Sequence, residues 1–422
     1  MTTKNDKPSP LPPVYEAWLP REHSLYRPRH ARRQTIALAC AVIFFATPLI
    51  TVAFGARPSE FENRALTPFP SPGQGWSFFT QLSAWATDHL MFREQAVHAA
   101  DGISRGVFGE PPPLNHENQQ GPLQSPPVKT DPRQFPPIIE GKNGWLYLGD
   151  EVSSHCAQAH PLADTFGKLQ RLKEGIEASG RQLVVVVAPD KATVVPENLP
   201  DAYIGKDCHT AMAAEFWRMV DARQDYILDL RGQITSWGAS KGQPIYGPQD
   251  AHWSDEGSVI MARSVAEKLR PGISATWKVT PTAGWQVPAD LPPLIGRSGT
   301  TSGTHYALMP DGTQDMTRPT PPDYTTPLHL NTASGPGTYG LNVALLGDSF
   351  TIRTLPYLAA SFRNLTALHA STADRDQGAA ASAVLAPSNV VVLELAERSL
   401  VRGTVALLDK PGLDNILGRL PR

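Results

Sequence analysis

Three cysteines in 422 residues exclude a disulfide-built scaffold, and the sequence has no C-x-x-C spacing for zinc or thiol-redox work. Net charge is nearly lacking as well. Lys and Arg total 38 against 40 Asp and Glu, leaving −2 and no bulk attraction to nucleic acid. Charged residues reach only 18%, below the usual ~25%. No repeat period is present, which argues against solenoids and propellers. Proline, by contrast, is in excess: 41 residues, about twice the ordinary ~5%, so long Pro-rich connections are expected. Hydrophobic residues make up 41%, enough for a sizeable core, and strongly apolar β-branched segments exclude disorder throughout. The length allows two or three domains, or one large one with extensions.

Ile36 to Phe54 is mostly Ala, Val, Ile, Leu and Phe. As a helix it reaches roughly 28 Å, close to the hydrocarbon thickness of a bilayer. Arg21, Arg27, Arg29, Arg32 and Arg33 precede it, whereas Arg57 and Arg64 beyond it are set against Glu60 and Glu62. That asymmetry predicts a cytoplasmic N-terminus and an extracytoplasmic remainder. A buried core helix and a cleaved signal peptide are the alternatives. The basic flank argues against the first, and the long n-region and apolar run against the second. The expected organisation is a basic cytoplasmic tail (1–35), a transmembrane anchor (36–54), an extracytoplasmic helical segment with a Pro-rich linker (55–140), and a main globular domain (141–422) with an insertion (281–340).

Trp76 to Phe108 has a helical pattern, with Phe79, Leu82, Trp85, Ala86 and Leu90 near one face. Gly109 to Pro137 is dense in Pro, Gln and Asn, as an extended linker is. Gly141 to Tyr147 reads as a turn and an aromatic strand. Leu162, Phe166, Leu169, Leu172 and Ile176 mark an amphipathic helix closed by Gly180. Leu183 to Ala188 is short and continuously apolar, the pattern of a parallel strand covered on both faces. Tyr226 to Leu230, Asn342 to Leu346 and Asn389 to Leu395 repeat it, with helices between them, notably Ser254 to Leu269. This alternation predicts an α/β fold with a mainly parallel sheet and flanking helices.

Reactive groups in such folds gather beyond the carboxyl ends of the strands. Three segments are expected there: Pro189-Asp190-Lys191, Asp250-Ala251-His252-Trp253, and Gly347-Asp348-Ser349. In extended backbone Asp250 and His252 project to one side, so the carboxylate can fix the tautomer of the imidazole and support its charged form. Ser349 on a tight strand-to-helix turn exposes its hydroxyl beside backbone N–H groups able to bind an oxyanion. Each segment alone fits a bland role, as a helix-entry loop or an N-cap. Together they supply a nucleophile, a base and an orienting acid.

At these residues the sequence resembles the SGNH-hydrolase-like alginate O-acetyltransferases of the cell envelope, in which Asp-x-His-Trp precedes Gly-Asp-Ser, an order permuted relative to ordinary SGNH esterases. Further matches are Glu62-Asn63-Arg64 with Phe69-Pro70, Asp88-His89 with Phe92-Arg93, Gly141 to Tyr147, Pro189-Asp190-Lys191 and Glu397-Arg398. The resemblance runs from about Glu60 to Leu400. It implies an SGNH-hydrolase-like fold with Ser349 as nucleophile, His252 as general base and Asp250 as its partner. The implied reaction moves acetyl groups onto hydroxyls of an extracytoplasmic polysaccharide, with a membrane-bound acyl-transfer protein as donor and no cofactor or metal. About two dozen residues follow Arg398, so polymer binding is expected to use the catalytic face itself. An esterase using the same triad and a catalytically silent scaffold of an acetylation complex are the other functional classes.

Lys191 is a candidate for steadying an anionic sugar or the donor, against a solvated surface charge, and Trp253 is a second candidate for substrate contact. Asp348 is expected to bond backbone in its turn. Glu397 and Arg398 are read as an ion pair behind the sheet. The insertion 281–340 is a lid, an acceptor-binding wall or a surface excursion, and its Trp285 and Tyr306 either stack on sugars or pack. Cys156 and Cys208 are expected to pair in an oxidising compartment, while Cys40 lies in the span. Closing that loop would contribute roughly 2–4 kcal/mol. A zinc site from His155, Cys156, Cys208 and His209 is disfavoured because adjacent ligands rarely converge.

Overall fold

The computed structural model describes residues 32–53 and 69–71, scattered positions from 78 to 103, and residues 135–420. Two compact units divide the chain, Met1–Arg93 and Glu94–Arg422. In the first, Arg32–Ala53 is helical. Among the described residues no helix is long and apolar enough to cross a membrane, so the expected anchor is not shown. Part of that segment's side chains, and Phe54, lie outside the described residues. Phe79, Leu82 and Trp85 are helical as their spacing predicts, and Trp85 meets the Phe69 ring edge-on at 5.1 Å. Most of the expected linker 109–137 lies outside the described residues.

The second unit begins with an antiparallel pair, β1 (Ile138–Glu140) and β2 (Leu146–Leu148). The central sheet is built from β3 (Gln182–Ala188) and β4 (Ile227–Asp229), and later from β7 (Leu328–Asn331), β8 (Tyr339–Gly347), β9 (Phe362–His369) and β10 (Val390–Ala396). Between β4 and β7 lies a separate antiparallel hairpin, β5 (Lys278–Pro288) with β6 (Thr300–Met309). The six strands run in the order β4-β3-β10-β8-β9-β7, all parallel except β7 against β9.

The unbroken Val run of β3 follows from burial on both faces. Val184, Val186 and Ala188 join a core with Met261, Ala262 and Val265 of the helix Asp255–Leu269 and with Leu355 and Leu358 of the helix Ser349–Ser361. Leu183, Val185 and Val187 face the opposite core, with Phe166, Leu169, Leu172 and Ile176 of the helix Leu162–Ala178. That helix ends before Gly180, which takes the left-handed φ of 78° that a glycine accepts without strain. Because β10 lies between β3 and β8, the carboxyl ends of three neighbouring strands deliver Asp190-Lys191, Glu397-Arg398 and Asp348-Ser349 to one edge of the sheet.

Candidate active site

Gly347 ends β8, and a Cβ there would stand 2.2 Å from Thr351 Oγ1, so only glycine lets the chain turn this tightly into the helix. Asp348 caps that helix. Its Oδ1 accepts the Phe350 N–H at 2.9 Å, and its Oδ2 accepts the Ala396 N–H, at the end of β10, at 2.8 Å. The Asp348 N–H donates to Glu394 Oε2 at 3.1 Å, and the Tyr324 hydroxyl donates to the Asp348 carbonyl. Asp348 is therefore bound to backbone, as expected of it. Ser349, the first helical residue, has no preceding turn to take its N–H. The Phe350 N–H is used by the cap and the Thr351 N–H by the Asp348 carbonyl at 3.1 Å. Among the described residues, the Ser349 N–H is the donor of this turn with no acceptor recorded.

The Asp250–His252 segment does not end a strand of the sheet, contrary to expectation. It lies in the loop between the helices Arg231–Lys241 and Asp255–Leu269, closed by a bridge between Tyr246 and Trp253. Side chains tie this loop to the sheet edge. The Tyr246 hydroxyl donates to the Pro189 carbonyl at 2.5 Å. Lys191 Nζ donates to the carbonyls of Gly247, Pro248 and Asp250 at 3.1, 3.2 and 2.8 Å. These ties place His252 Nε2 2.8 Å from Ser349 Oγ. The imidazole rests against the Phe350 ring at 4.9 Å. On its other side, Nδ1 lies 3.1 Å from Asp250 Oδ1. Asp290 Oδ2 lies at the same 3.1 Å from Nδ1. Arg353, one turn past Ser349, reaches Asp250 Oδ2 at 3.2 Å.

Burial alone would lower the pKa of His252, but hydrogen bonds to Asp250 and Asp290 outweigh it and raise the group to about 9. Asp250 is pushed down: burial opposes ionisation, and the His252 hydrogen bond and Arg353 charge overcome it. Asp250, His252 and Asp290 hold potential ligand atoms within 4.8 Å of one another, the only such metal-type set among the described residues. A cation there would take Nδ1, the atom that must carry its proton if Nε2 is to face the serine as a base.

The site thus holds a helix-opening serine, a histidine on its hydroxyl and two carboxylates behind the ring, and comparison with known proteins sets the family. Residues 138–386 match the model described as the SGNH hydrolase-like domain of the acetyltransferase AlgX. The chain belongs to this family. It is similar to the probable alginate O-acetylase AlgJ of Azotobacter vinelandii, 26% identical over 136 residues, or 32% of this chain and 34% of that one. AlgJ of Pseudomonas fluorescens is 24% identical over 134 residues, again 32% and 34%. The chain thus spans about a third of the length of the curated relatives it matches. Among solved structures, the O-acetyltransferase domain of Pseudomonas putida AlgJ aligns with 67% of this chain and 99% of its own, at a TM-score of 0.44 and 17% identity. Bacillus cereus PatB1 with a sulfonyl adduct aligns with 65% and 98%, at 0.45 and 12%.

Several sequence readings are corrected inside this SGNH-like domain. Lys191 is neither a substrate contact nor a solvated charge. It is fully buried, lies over the rings of Trp145 and Tyr147, and spends its ammonium on the Asp250 loop. Burial pushes it down to about 8, against the pull of Glu151, Asp290 and Asp250. Trp253 is also fully buried and meets the Phe350 ring at 4.9 Å, so it supports the loop and does not touch substrate. Glu397 and Arg398 diverge instead of pairing. Glu397 accepts from the Asp190 N–H at 2.9 Å and from Trp217 Nε1 at 2.8 Å, and faces His155 Nε2 at 3.3 Å. Arg398 donates to Asp190 Oδ1 at 2.8 Å.

Trp285 is held between the Arg353 guanidinium, 4.2 Å from its ring, and the backbone at Gly303, where a Cβ would come within 2.5 Å. Its Nε1 donates to Asp255 at 2.8 Å, and the Tyr306 hydroxyl to Glu256 at 2.7 Å. Both aromatics therefore pack. The structure joins Cys156 to Cys208, with Cα atoms 5.3 Å apart. That leaves no thiolate for zinc, and His155 and His209 spend Nδ1 on Glu151 O and the Tyr203 hydroxyl, respectively. Asp290 is the residue that sequence reasoning missed. It lies in the insertion, with no neighbouring motif to mark it.

Proposed function

We propose that the chain is a membrane-anchored, extracytoplasmic O-acetyltransferase that moves acetyl groups onto hydroxyls of a cell-envelope polysaccharide. The observation that carries the reading is the 2.8 Å contact between His252 Nε2 and Ser349 Oγ, with Asp250 behind the ring. In the first half-reaction Nε2 removes the Ser349 proton as Oγ attacks the donor's acetyl carbonyl. Nδ1–H remains bonded to carboxylate, and the Ser349 N–H faces the developing oxyanion. Collapse expels the donor's leaving group with the proton from Nε2 and leaves an acetyl-serine. In the second, Nε2 takes the proton of a sugar hydroxyl, whose oxygen attacks the acetyl-serine; the ester forms and Oγ regains the proton.

With His252 held up at about 9, the base form grows as pH rises through that value. The similarity to alginate O-acetylases supports a polysaccharide as acceptor. The basic flank before Ile36 supports attachment by the N-terminal helix, and donor chemistry would then come through a membrane-bound acyl-transfer protein. Hydrolysis differs only in that water replaces the sugar hydroxyl. Incubation with an activated acetyl ester and a panel of glycans separates the two. Acetylated glycan supports transfer, and free acetate alone in the presence of every acceptor supports an esterase. A cytoplasm-only reporter fused at Arg422 tests the topology, and activity there would overturn the extracytoplasmic placement.

A further inference from the structure

The insertion between the two catalytic segments supplies more than a surface. We propose that Asp290 is a second carboxylate partner of His252, a positioning residue that shares the Nδ1 proton with Asp250. The inference rests on the acyl-transfer reading above.

One imidazole N–H faces two acceptors at an equal 3.1 Å, Asp250 Oδ1 and Asp290 Oδ2. The two carboxylates are not equivalent. Asp250 Oδ1 also accepts the His252 backbone N–H at 2.9 Å, and its Oδ2 is engaged by Arg353. Asp290 gives Oδ1 to the Ala251 N–H at 3.0 Å and turns Oδ2 toward the ring. It is held ready on both sides: the Ala289 N–H donates to the Gly299 carbonyl at 3.0 Å, and the Leu291 N–H to the Gln249 carbonyl at 3.3 Å. The second of those bonds fastens the insertion to the residue before Asp250.

The other charged groups around the ring are already committed. Lys191, below the loop, donates to its carbonyls. Arg398 lies over the Phe350 ring at 5.4 Å and donates to Asp190. Asp348 faces the Phe350 and Ala396 N–H groups, and Arg297 of the insertion pairs with Glu140 at 2.9 Å. Asp250 and Asp290 are thus the anions that set the proton on Nδ1. Their joint effect agrees with the elevated His252 group.

The test uses the full chain with histidine selectively 13C-labelled. The His252 resonance, assigned by its loss in His252→Gln, is titrated in wild type, Asp290→Asn, Asp290→Ala and Asp290→Glu. Asn keeps an acceptor for the Ala251 N–H, so this variant retains the loop even if Ala disturbs it. The expected result is a fall of about one unit or more in the His252 midpoint for Asn and Ala, roughly a tenfold change in protonation. The acidic limb of kcat/KM should move with it, and Glu should return the midpoint toward wild type. A support of the loop alone would lower kcat without moving the midpoint. Unchanged midpoints in both Asn and Ala overturn the proposal. Since the titration needs no turnover, transfer persisting in Ser349→Ala would sink the acyl-enzyme reading while leaving this assignment intact.

Discussion

Lys191 Nζ lies 2.8 Å from the carbonyl oxygen of Asp250, and the two residues come from opposite ends of the catalytic architecture, one from the end of β3 and one from a helix-entry loop. A buried ammonium donating to three carbonyls is what sets the height of the Asp250–His252 segment above the sheet. Lys191→Met keeps much of the volume and removes the donors. Hydrogen bonds to charged groups contribute ~1.5–3 kcal/mol each and do not add fully. Denaturant unfolding should therefore show a loss on the order of 3 kcal/mol. Acetyl-enzyme formation should fall steeply, because His252 loses its placement. Wild-type stability and rate in this variant would remove Lys191 from the account.

Gly347→Ala tests the turn that presents the nucleophile. The added Cβ would meet Thr351 Oγ1 at 2.2 Å and Thr351 Cβ at 2.9 Å. Overpacking of this kind costs about 1–3 kcal/mol. Strain here displaces Ser349 directly, so the rate should fall by more than the stability loss explains. A thermal melt and a burst assay on the same sample check both halves.

Two of the elevated buried groups, His252 and Glu394, predict pH dependence of stability. His252 is raised from 6.5 to about 9, so its stabilising contribution is complete below 6.5 and disappears as pH climbs through about 9. The Tm gap between wild type and His252→Gln should narrow across that interval. Glu394 behaves oppositely. Burial and the nearby Asp348 push its carboxyl well above 4.5, and its Oε1 has no hydrogen-bond partner among the described residues. Above 4.5 the unfolded chain releases a proton that the folded chain keeps, so Glu394 costs stability as pH rises. Glu394→Gln should gain in Tm relative to wild type as pH rises above 4.5. A constant difference across that range would show that the carboxyl is not held neutral.

The sheet was legible where burial on both faces left a plain pattern. The Val run of β3 and the apolar segments Asn342 to Leu346 and Asn389 to Leu395 announce themselves, and they fall within β8 and β10 or at their edge. β9 did not, because Arg363, Asn364 and Thr366 break its apolar sequence and it follows the helix Ser349–Ser361 without a loop. Ser349, His252 and Asp250 could be named because short-range motifs carry them. Lys191, Trp253 and Arg398 stood in the right motifs, but their contacts are made across the fold, and one-dimensional spacing does not separate a buried strut from a substrate contact. Asp290 lies 38 positions from His252 in a stretch of Thr, Pro and Gly, in the loop between β5 and β6, which only contacts across the fold bring to the ring.

The most direct test of the central claim is intact-protein and peptide mass spectrometry after brief exposure to an activated acetyl ester. The wild-type chain should gain one acetyl group, localised to Ser349, and lose it when an acceptor glycan is added, with the label recovered as a sugar ester. Ser349→Ala should remain unlabelled while melting close to wild type, and His252→Ala should remain unlabelled as well. Acetylation at another residue, or equal labelling of Ser349→Ala, would contradict the account.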